Sequence, residues 1–516
     1  MTLRERLEDL ALDGWRFWLD GERLRYRAPR EAAGEAVLAE LRERKAEIVR
    51  LLAAEPDALE LAPLSHGQRA LWVLWRLSPA DATYHLSLPL VLESADPEAW
   101  RRACRRLVER HELLRARFPV RSGEPVARFA CGGELDFLDV DARDWSVERR
   151  RTELAASHAE PFDLEAGPVV RFRWFSLAGD RGALLVTMHH LVGDEWSLEI
   201  VARELPQLGE TELPPVASSY REFVASQRRL LSGPEGEALW TYWRGRFPAP
   251  PPPLDLPADP PRPLLRTAVG DRHELGGLGD LGTRVRAAAA AFGTTPPVVF
   301  LAAFYVLLHR YGGSDDLVVG VPTSGRNRAE LAEVVGYFVD PVAVRVAVDA
   351  EAGFADLVPR VRESFLGAIG HRDFPFPLLV ERLRLPHVPG RSPLFDASFN
   401  HLRIGAASGA GAGEGGGAPA VADLVQGDGK VDLTFTLLEE GGAFRGWLGY
   451  ARALFEPRTI ERMARHLVAA LGAALGDPAR PIGALPVESP ARSSGAVIAG
   501  RPPEAGADRP FPARYE

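Results

Sequence analysis

Two adjacent histidines close an apolar run in TMHHLVGDEWSL (Thr187–Leu198), with a carboxylate four residues after the second. An imidazole titrates near neutral pH and can take or give a proton there, so the pair invites an acid–base reading. The preceding residues are β-branched and apolar, the pattern of a buried strand, and strand neighbours point to opposite faces. His189 and His190 therefore cannot share one site, which argues against a metal centre built on the pair. Two readings stay open from the residues alone. Both histidines are hydrogen-bonded structural groups, or one braces the core while the other faces a cavity as general base or proton shuttle. Asp194 lies too far round the following turn to be taken as a direct partner; a buried ion pair that fixes the loop is its simpler role. The stretch LVGDEWS reads as a turn into a helix beginning near Trp196.

The elements that must hold these residues belong to a chain of 516 residues, enough for roughly two to four domains of about 150 residues. With 46% hydrophobic and 26% charged residues it has the composition of an ordinary globular protein. The formal charge, 62 − 71 = −9, gives no global reason to expect nucleic acid or an anionic membrane as partner. Cys104 and Cys131 are too few for a disulfide framework or a cysteine zinc site, which fits a reducing cytoplasm. The longest apolar run, VVFLAAFYVLL (Val298–Leu308), is well short of the roughly 20 residues that span a bilayer. Lysine appears only at positions 45 and 430; arginine supplies every other basic residue, which we read first as a composition effect.

Residues 1–57 read as a separate small module: an amphipathic helix stopped at Gly14, a hairpin around Asp20-Gly21, then a return to helical period in EAVLAELRERKAEIVRLLAA. The second hairpin strand is basic at Arg23, Arg25 and Arg27, either a solvated face or an edge that captures an acidic peptide by strand addition. Residues 58–63 link to a larger body in which helices and strands alternate to about Pro481, consistent with α/β or α+β layering. The proline-rich stretch 247–265 is a stiff extended connector that splits this body into 64–246 and 266–487. In the second half, TTPPVVFLAAFYVLLHRYGG is a buried helix, and GAASGAGAGEGGGAPA (Gly405–Ala420) a low-complexity mobile loop. Residues 488–516 have linker composition.

HHLVGDEWS resembles the HHxxxDG motif of condensation domains from nonribosomal peptide synthetases. Further stretches follow in that family's order: LSHGQRALWVLWRLSP (Leu64–Pro79), RHELLRARF (Arg110–Phe118), YREFVASQR (Tyr220–Arg228), GVPTSGRNRAELAEVVGYFVDPVAVR (Gly320–Arg345), and HRDFPFPLLVERL with RSPLFDASFN. Residues 1–57 are similar to the tubulysin-type N-terminal docking domains of such synthetases. The resemblance implies two chloramphenicol-acetyltransferase-like lobes in a V-shaped pseudodimer with a tunnel between them, preceded by a small α-β-β-α docking domain. It also implies no cofactor bound by the chain itself. Substrates would arrive on the phosphopantetheine arms of an upstream acyl or peptidyl carrier protein and of a downstream peptidyl carrier domain. An adenylation domain would follow residues 488–516.

On this resemblance His190 is the catalytic position and His189 the structural one. Asp194 is the aspartate that pairs with an arginine, with Arg115 and Arg326 both available, and Trp196 and Ser197 complete the motif. Glu195 departs from the pattern, which has glycine; it points out of the tunnel, or it contacts the acceptor amine, raises the histidine pKa or narrows the donor channel. The residue order after Asp194 and the paired histidines lean against epimerisation and heterocyclisation domains. Together with SHGQRALWVL and GYFVDPV, the bulky residue after Asp194 resembles the subtype that accepts acyl chains from polyketide synthases. The docking module would then meet an acidic C-terminal tail of that upstream partner through Arg23, Arg25 and Arg27. The apolar face of Met1–Leu12 would permit a docking-domain homodimer.

Overall fold

A computed structural model describes residues 2–28, 35–92, 96–129, 132, 135–179, 181–264, 269–386, 388–404 and 429–488. The low-complexity stretch 405–420, Cys131 and residues 489–516 lie outside these. The N-terminal module opens with helix Leu3–Leu12, capped by a reciprocal Thr2/Glu5 box. The antiparallel strands Arg16–Asp20 and Arg23–Arg27 follow, with Gly21 at φ +59° where the two-residue turn needs a positive φ. The helical period after them is interrupted at Arg44 (φ −98°, ψ 16°), giving Glu35–Glu43 and Lys45–Ala54 instead of one helix. Leu41 and Ile48, one from each piece, close on Trp15 and Phe17, so the break wraps two short helices around one small core.

The apolar face of Leu3–Leu12 is used within the chain. Leu7 and Leu10 enter the module's core, while Ala11 packs on Leu61 and Val126 of the following body. Glu8, 7% exposed, accepts from Arg121 (2.7 Å), Arg4 and Arg128 (both 3.3 Å), and Asp9 pairs with Arg121 (2.7 Å). Leu3 and Leu12, at the two ends of this helix, are partly buried against the same two clusters.

The body carries two mixed sheets. The first orders His85–Leu92, Arg181–His189, Val170–Leu177 and Phe137–Asp141, with only the last pair parallel. Helices Pro97–Arg110 and Glu195–Leu208 contribute Leu107, Ile200 and Val201 to its core, beside Trp174 and Val186. The second orders Gly270–Glu274, Ala443–Ala451, Leu433–Glu440, Ala397–Ile404, Asp316–Thr323 and Asp340–Ala347, parallel only where Ala397–Ile404 meets its two neighbours. The apolar helix Pro296–Gly312 is buried nearly all round beneath it and ends at Gly313 with φ +65°.

Two features tie the halves together. The extended stretch 247–264 is strapped to the second sheet's lobe: Leu254 and Leu256 are buried in its core, and Arg391 donates to the Leu254 carbonyl (2.6 Å). In the other direction, Leu331, Val334, Val335 and Phe338 come from the second half of the chain yet lie in the first lobe's core. This crossing segment is what reaches the histidines.

Candidate active site

Strand Arg181–His189 runs antiparallel to His85–Leu92, with His189 opposite His85, and gives way at His190 to a single turn, His190–Val192. The change from strand to turn sends the rings apart. His189 faces His85 (6.0 Å between centroids) and Phe162 (6.4 Å), and its Nδ1 accepts from the Leu191 N–H (3.1 Å). Burial holds its pKa well below the ordinary value, so it is a neutral brace.

His190 turns the other way and meets the edge of Tyr337 from the crossing segment, ring centroids 5.0 Å apart. Its backbone N–H donates to the Tyr84 carbonyl (2.7 Å). Its Nδ1 lies 2.7 Å from the Gly193 carbonyl, which can only accept, so Nδ1 carries the proton and Nε2 presents the lone pair. Burial lowers this imidazole's pKa and Lys430 lowers it further. Glu195, the Gly193 carbonyl and Asp194 work against both. Gly193 itself is required by packing, because a Cβ there would stand 2.5 Å from Met188 Sδ.

Asp194 caps helix Glu195–Leu208 and is 2% exposed. Its Oδ1 accepts from the Ser197 N–H (2.9 Å) and Oγ–H (2.8 Å); its Oδ2 accepts from Arg326 Nη1 (2.6 Å) and the Phe338 N–H (3.1 Å). Arg326 also donates to Ser197 Oγ and the Val334 carbonyl (both 3.1 Å), and its guanidinium lies 4.2 Å from the Phe338 ring centre. Both charges are thus desolvated and paired, and together they lock the crossing segment onto the helix that follows the histidines. Chemically, the arrangement offers a fixed neutral imidazole with one free nitrogen, set where the two lobes meet.

A family model for the condensation domain matches residues 59–493, and one for the TubC N-terminal docking domain matches residues 4–53. The chain belongs to the condensation-domain family. The domain is 34% identical over 454 residues to phosphinothricin tripeptide synthetase PhsC of Streptomyces viridochromogenes, covering 84% of this chain and 41% of that protein. It is also 34% identical over 427 residues to tyrocidine synthase 2 of Brevibacillus parabrevis, covering 82% and 12%. The chain thus spans less than half the length of these relatives. Among solved structures, the X-domain in complex with OxyB from teicoplanin biosynthesis superposes with TM-score 0.75 at 26% identity, covering 83% of this chain and 96% of that one. A four-domain nonribosomal peptide synthetase, holo-AB3403, shares the fold with TM-score 0.74 at 21% identity, over 84% and 34%. The two mixed sheets are the paired lobes of this fold.

Within the condensation domain, the structure brings His190, Asp194, Glu195, Ser197 and Arg326 together and leaves Arg115 apart. Of the two arginines open to Asp194, Arg326 makes the pair; Arg115 sits on the turn Glu112–Arg115, its buried Nη1 lacking a hydrogen-bond partner among the described residues. Glu195 opens the helix half-buried, with its charge felt at His190. Trp196 is 44% exposed and donates to the Ala332 carbonyl (2.9 Å), so it clamps the crossing segment from outside. Arg23, Arg25 and Arg27 share the exposed face of a strand that pairs, among the described residues, only with Arg16–Asp20; Arg25 makes a surface pair with Asp20 (3.1 Å).

Several positioning residues carried no role in the sequence. Gln68, from the cap of helix His66–Leu77, donates to the Leu191 carbonyl (3.0 Å) and steadies the histidine turn. Tyr220 bridges Ser65 Oγ (2.9 Å) and the Tyr337 carbonyl (2.6 Å). Asp340, at the start of its strand, accepts from the Phe376 N–H (2.9 Å), and burial pushes its carboxyl up to about 8, so it is largely protonated at neutral pH. Tyr337 and Asp340 lie inside the GYFVDPV stretch, but nothing in their spacing shows that it crosses between lobes. Two open cavities among the described residues measure about 140 and 320 Å³: one along Pro250–Leu254 of the connector, the other lined by Thr323, Arg326 and His401. His190 lines neither. Among the described residues no group of three or more His, Cys, Asp or Glu side chains is arranged to hold a metal ion, and no single helix is long and apolar enough to cross a membrane.

Proposed function

We propose that this chain joins an acyl group on an upstream carrier protein to the amine of an aminoacyl group on a downstream carrier. The observation that carries this is the His190 tautomer, fixed by the Gly193 carbonyl so that Nε2 is the free acceptor. The amine nitrogen attacks the thioester carbonyl carbon, Nε2 takes or orients the proton the nitrogen sheds, and the C–S bond breaks. The pantetheine sulfur leaves as a thiolate and is protonated. Such acid–base help is worth about 10²–10⁴-fold, and alignment of two tethered reactants contributes more. His189 and the Asp194–Arg326 pair hold the geometry, and Glu195 tunes acceptor choice.

In this reading residues 1–57 dock the upstream enzyme, 64–246 and 266–487 are the two lobes, 247–265 joins them, and 488–516 lead toward an adenylation domain. The work takes place in the cytoplasm, on phosphopantetheine-borne substrates, with a polyketide acyl chain as donor. The outer edge of Arg23–Arg27, with three arginines on its face, suits an extended acidic tail.

The test is to load both carriers, add the chain, and weigh the downstream carrier by intact-protein mass spectrometry. Transfer of the acyl mass onto it, stable to mild alkali after release, supports amide formation. An alkali-labile product indicates ester formation. No transfer from competent carriers would favour a recruitment role, a reading raised by the X-domain's complex with OxyB.

A further inference from the structure

Lys430 is one of two lysines in a chain whose other basic residues are all arginine. It stands just before strand Leu433–Glu440 in the second lobe, yet its ammonium lies 5.3 Å from the ring centre of Tyr84 in the first. Tyr84 is the residue whose carbonyl holds the His190 backbone N–H at 2.7 Å. The residues that follow the lysine are well fixed. Val431 is 8% exposed, and Asp432, fully buried, accepts from Arg262 of the proline-rich connector (3.0 Å) while its N–H donates to the Asp396 carbonyl (2.9 Å). A chain of contacts therefore runs from the connector through Asp432 and Lys430 to Tyr84 and the catalytic turn, and it crosses the lobe boundary at the lysine.

We propose that Lys430 is a positioning residue for the His190 site, its ammonium carried across from the second lobe to keep the imidazole in the form whose Nε2 accepts a proton. This rests on the reading of His190 as the proton acceptor. The groups acting on the imidazole are Lys430 on one side and Glu195 and Asp194 on the other. Asp194 is already neutralised by Arg326. Tyr337 packs nearly perpendicular to the ring, and Asp340, whose charge would bear on Tyr337, is largely protonated at neutral pH. His189, neutral, lies on the opposite face. Within this set Lys430 supplies the positive charge that opposes Glu195, and it comes from the other lobe. The acid–base state of His190 therefore depends in part on a charge that the second lobe supplies.

The experiment is the single-turnover rate of acyl transfer between loaded carriers from pH 5.5 to 9, for the wild type, Lys430→Met and Lys430→Arg. Wild type against His190→Ala first establishes that the histidine matters, so failure there falls on the function and not on Lys430. Removing a nearby positive charge raises the imidazole pKa, so in Lys430→Met the acid limb moves to higher pH. A half-unit move gives roughly threefold slower transfer on that limb and an unchanged rate on the alkaline plateau. Lys430→Arg keeps the wild-type profile. A Lys430→Met profile that overlays the wild type, or one that drops equally at every pH, overturns the proposal. In the second case the lysine would be a structural or transition-state group instead.

Discussion

Replacing Arg326 with methionine removes the 2.6 Å contact to Asp194 while keeping most of the apolar volume against Phe338. The carboxylate left behind is 2% exposed and retains three donors: the Ser197 N–H and Oγ–H, and the Phe338 N–H. Stripping one partner from a buried pair costs about 3–5 kcal/mol, because the survivor stays charged and desolvated. The loss is local, since what the pair secures is the crossing segment that carries Tyr337. Two backbone amides report on it directly: Gly336, donating to Ser197 Oγ (3.1 Å), and Phe338, donating to Asp194 (3.1 Å). A local opening energy reduced by about 3 kcal/mol speeds their exchange roughly 150-fold. Hydrogen exchange of peptides spanning residues 330–340 reads this in Arg326→Met, in Asp194→Asn and in the double variant. The double variant should exchange much more slowly than the sum of the single effects implies, because neither charge is then stranded. Exchange in Arg326→Met within about threefold of the wild type would refute the view that this pair fastens the segment.

Acid should weaken the first lobe: burial holds His85 down to about 4 and lowers His158 and His189 too. A depressed histidine contributes stability above its unfolded pKa near 6.5 that is lost as pH falls toward the folded value. His85 alone therefore accounts for about 2 kcal/mol by pH 5, and denaturant titrations of His85→Gln should show a flatter pH dependence between about 6.5 and 4. Glu195→Gly should still form product but change acceptor preference. Because Glu195 raises the His190 pKa, the acid limb should move to lower pH; complete loss of turnover would contradict this role. Calorimetry with the upstream partner's acidic tail should show weak binding that falls as salt rises, and Arg23, Arg25 and Arg27 all changed to glutamine should remove most of the salt dependence. Salt-independent wild-type binding would count against charge pairing at that strand.

Local features of the fold and site are legible in the sequence because local rules govern them. The apolar run makes the buried strand that ends at His189, and the two histidines do face apart, although the turn that begins at His190, and not strand alternation, separates them. The hairpin at Gly21, the proline-opened helix Pro296–Gly312 and the extended connector follow from residues with restricted or permissive backbones. A buried ion pair is the natural expectation for Asp194, but two arginines compete for it. Choosing between them requires knowing that the segment carrying Arg326, Val334 and Phe338 crosses into the first lobe. That crossing is a tertiary event with no periodic signature. The same limit hides Lys430, more than two hundred residues from His190 in the chain, whose rarity is explained by composition until the lobes are seen together. The break at Arg44 is invisible to periodicity because helical period continues across it, and both pieces bury a residue in the same small core.

The imidazole of residue 190 is best tested by following acyl transfer between loaded carriers under single-turnover conditions at about pH 7.5, wild type against His190→Ala, with melting temperatures recorded for both. At equal melting temperature, transfer should fall by about 10²-fold or more in the alanine variant. Equal rates in a folded His190→Ala protein would show that this nitrogen does not take or orient the amine's proton.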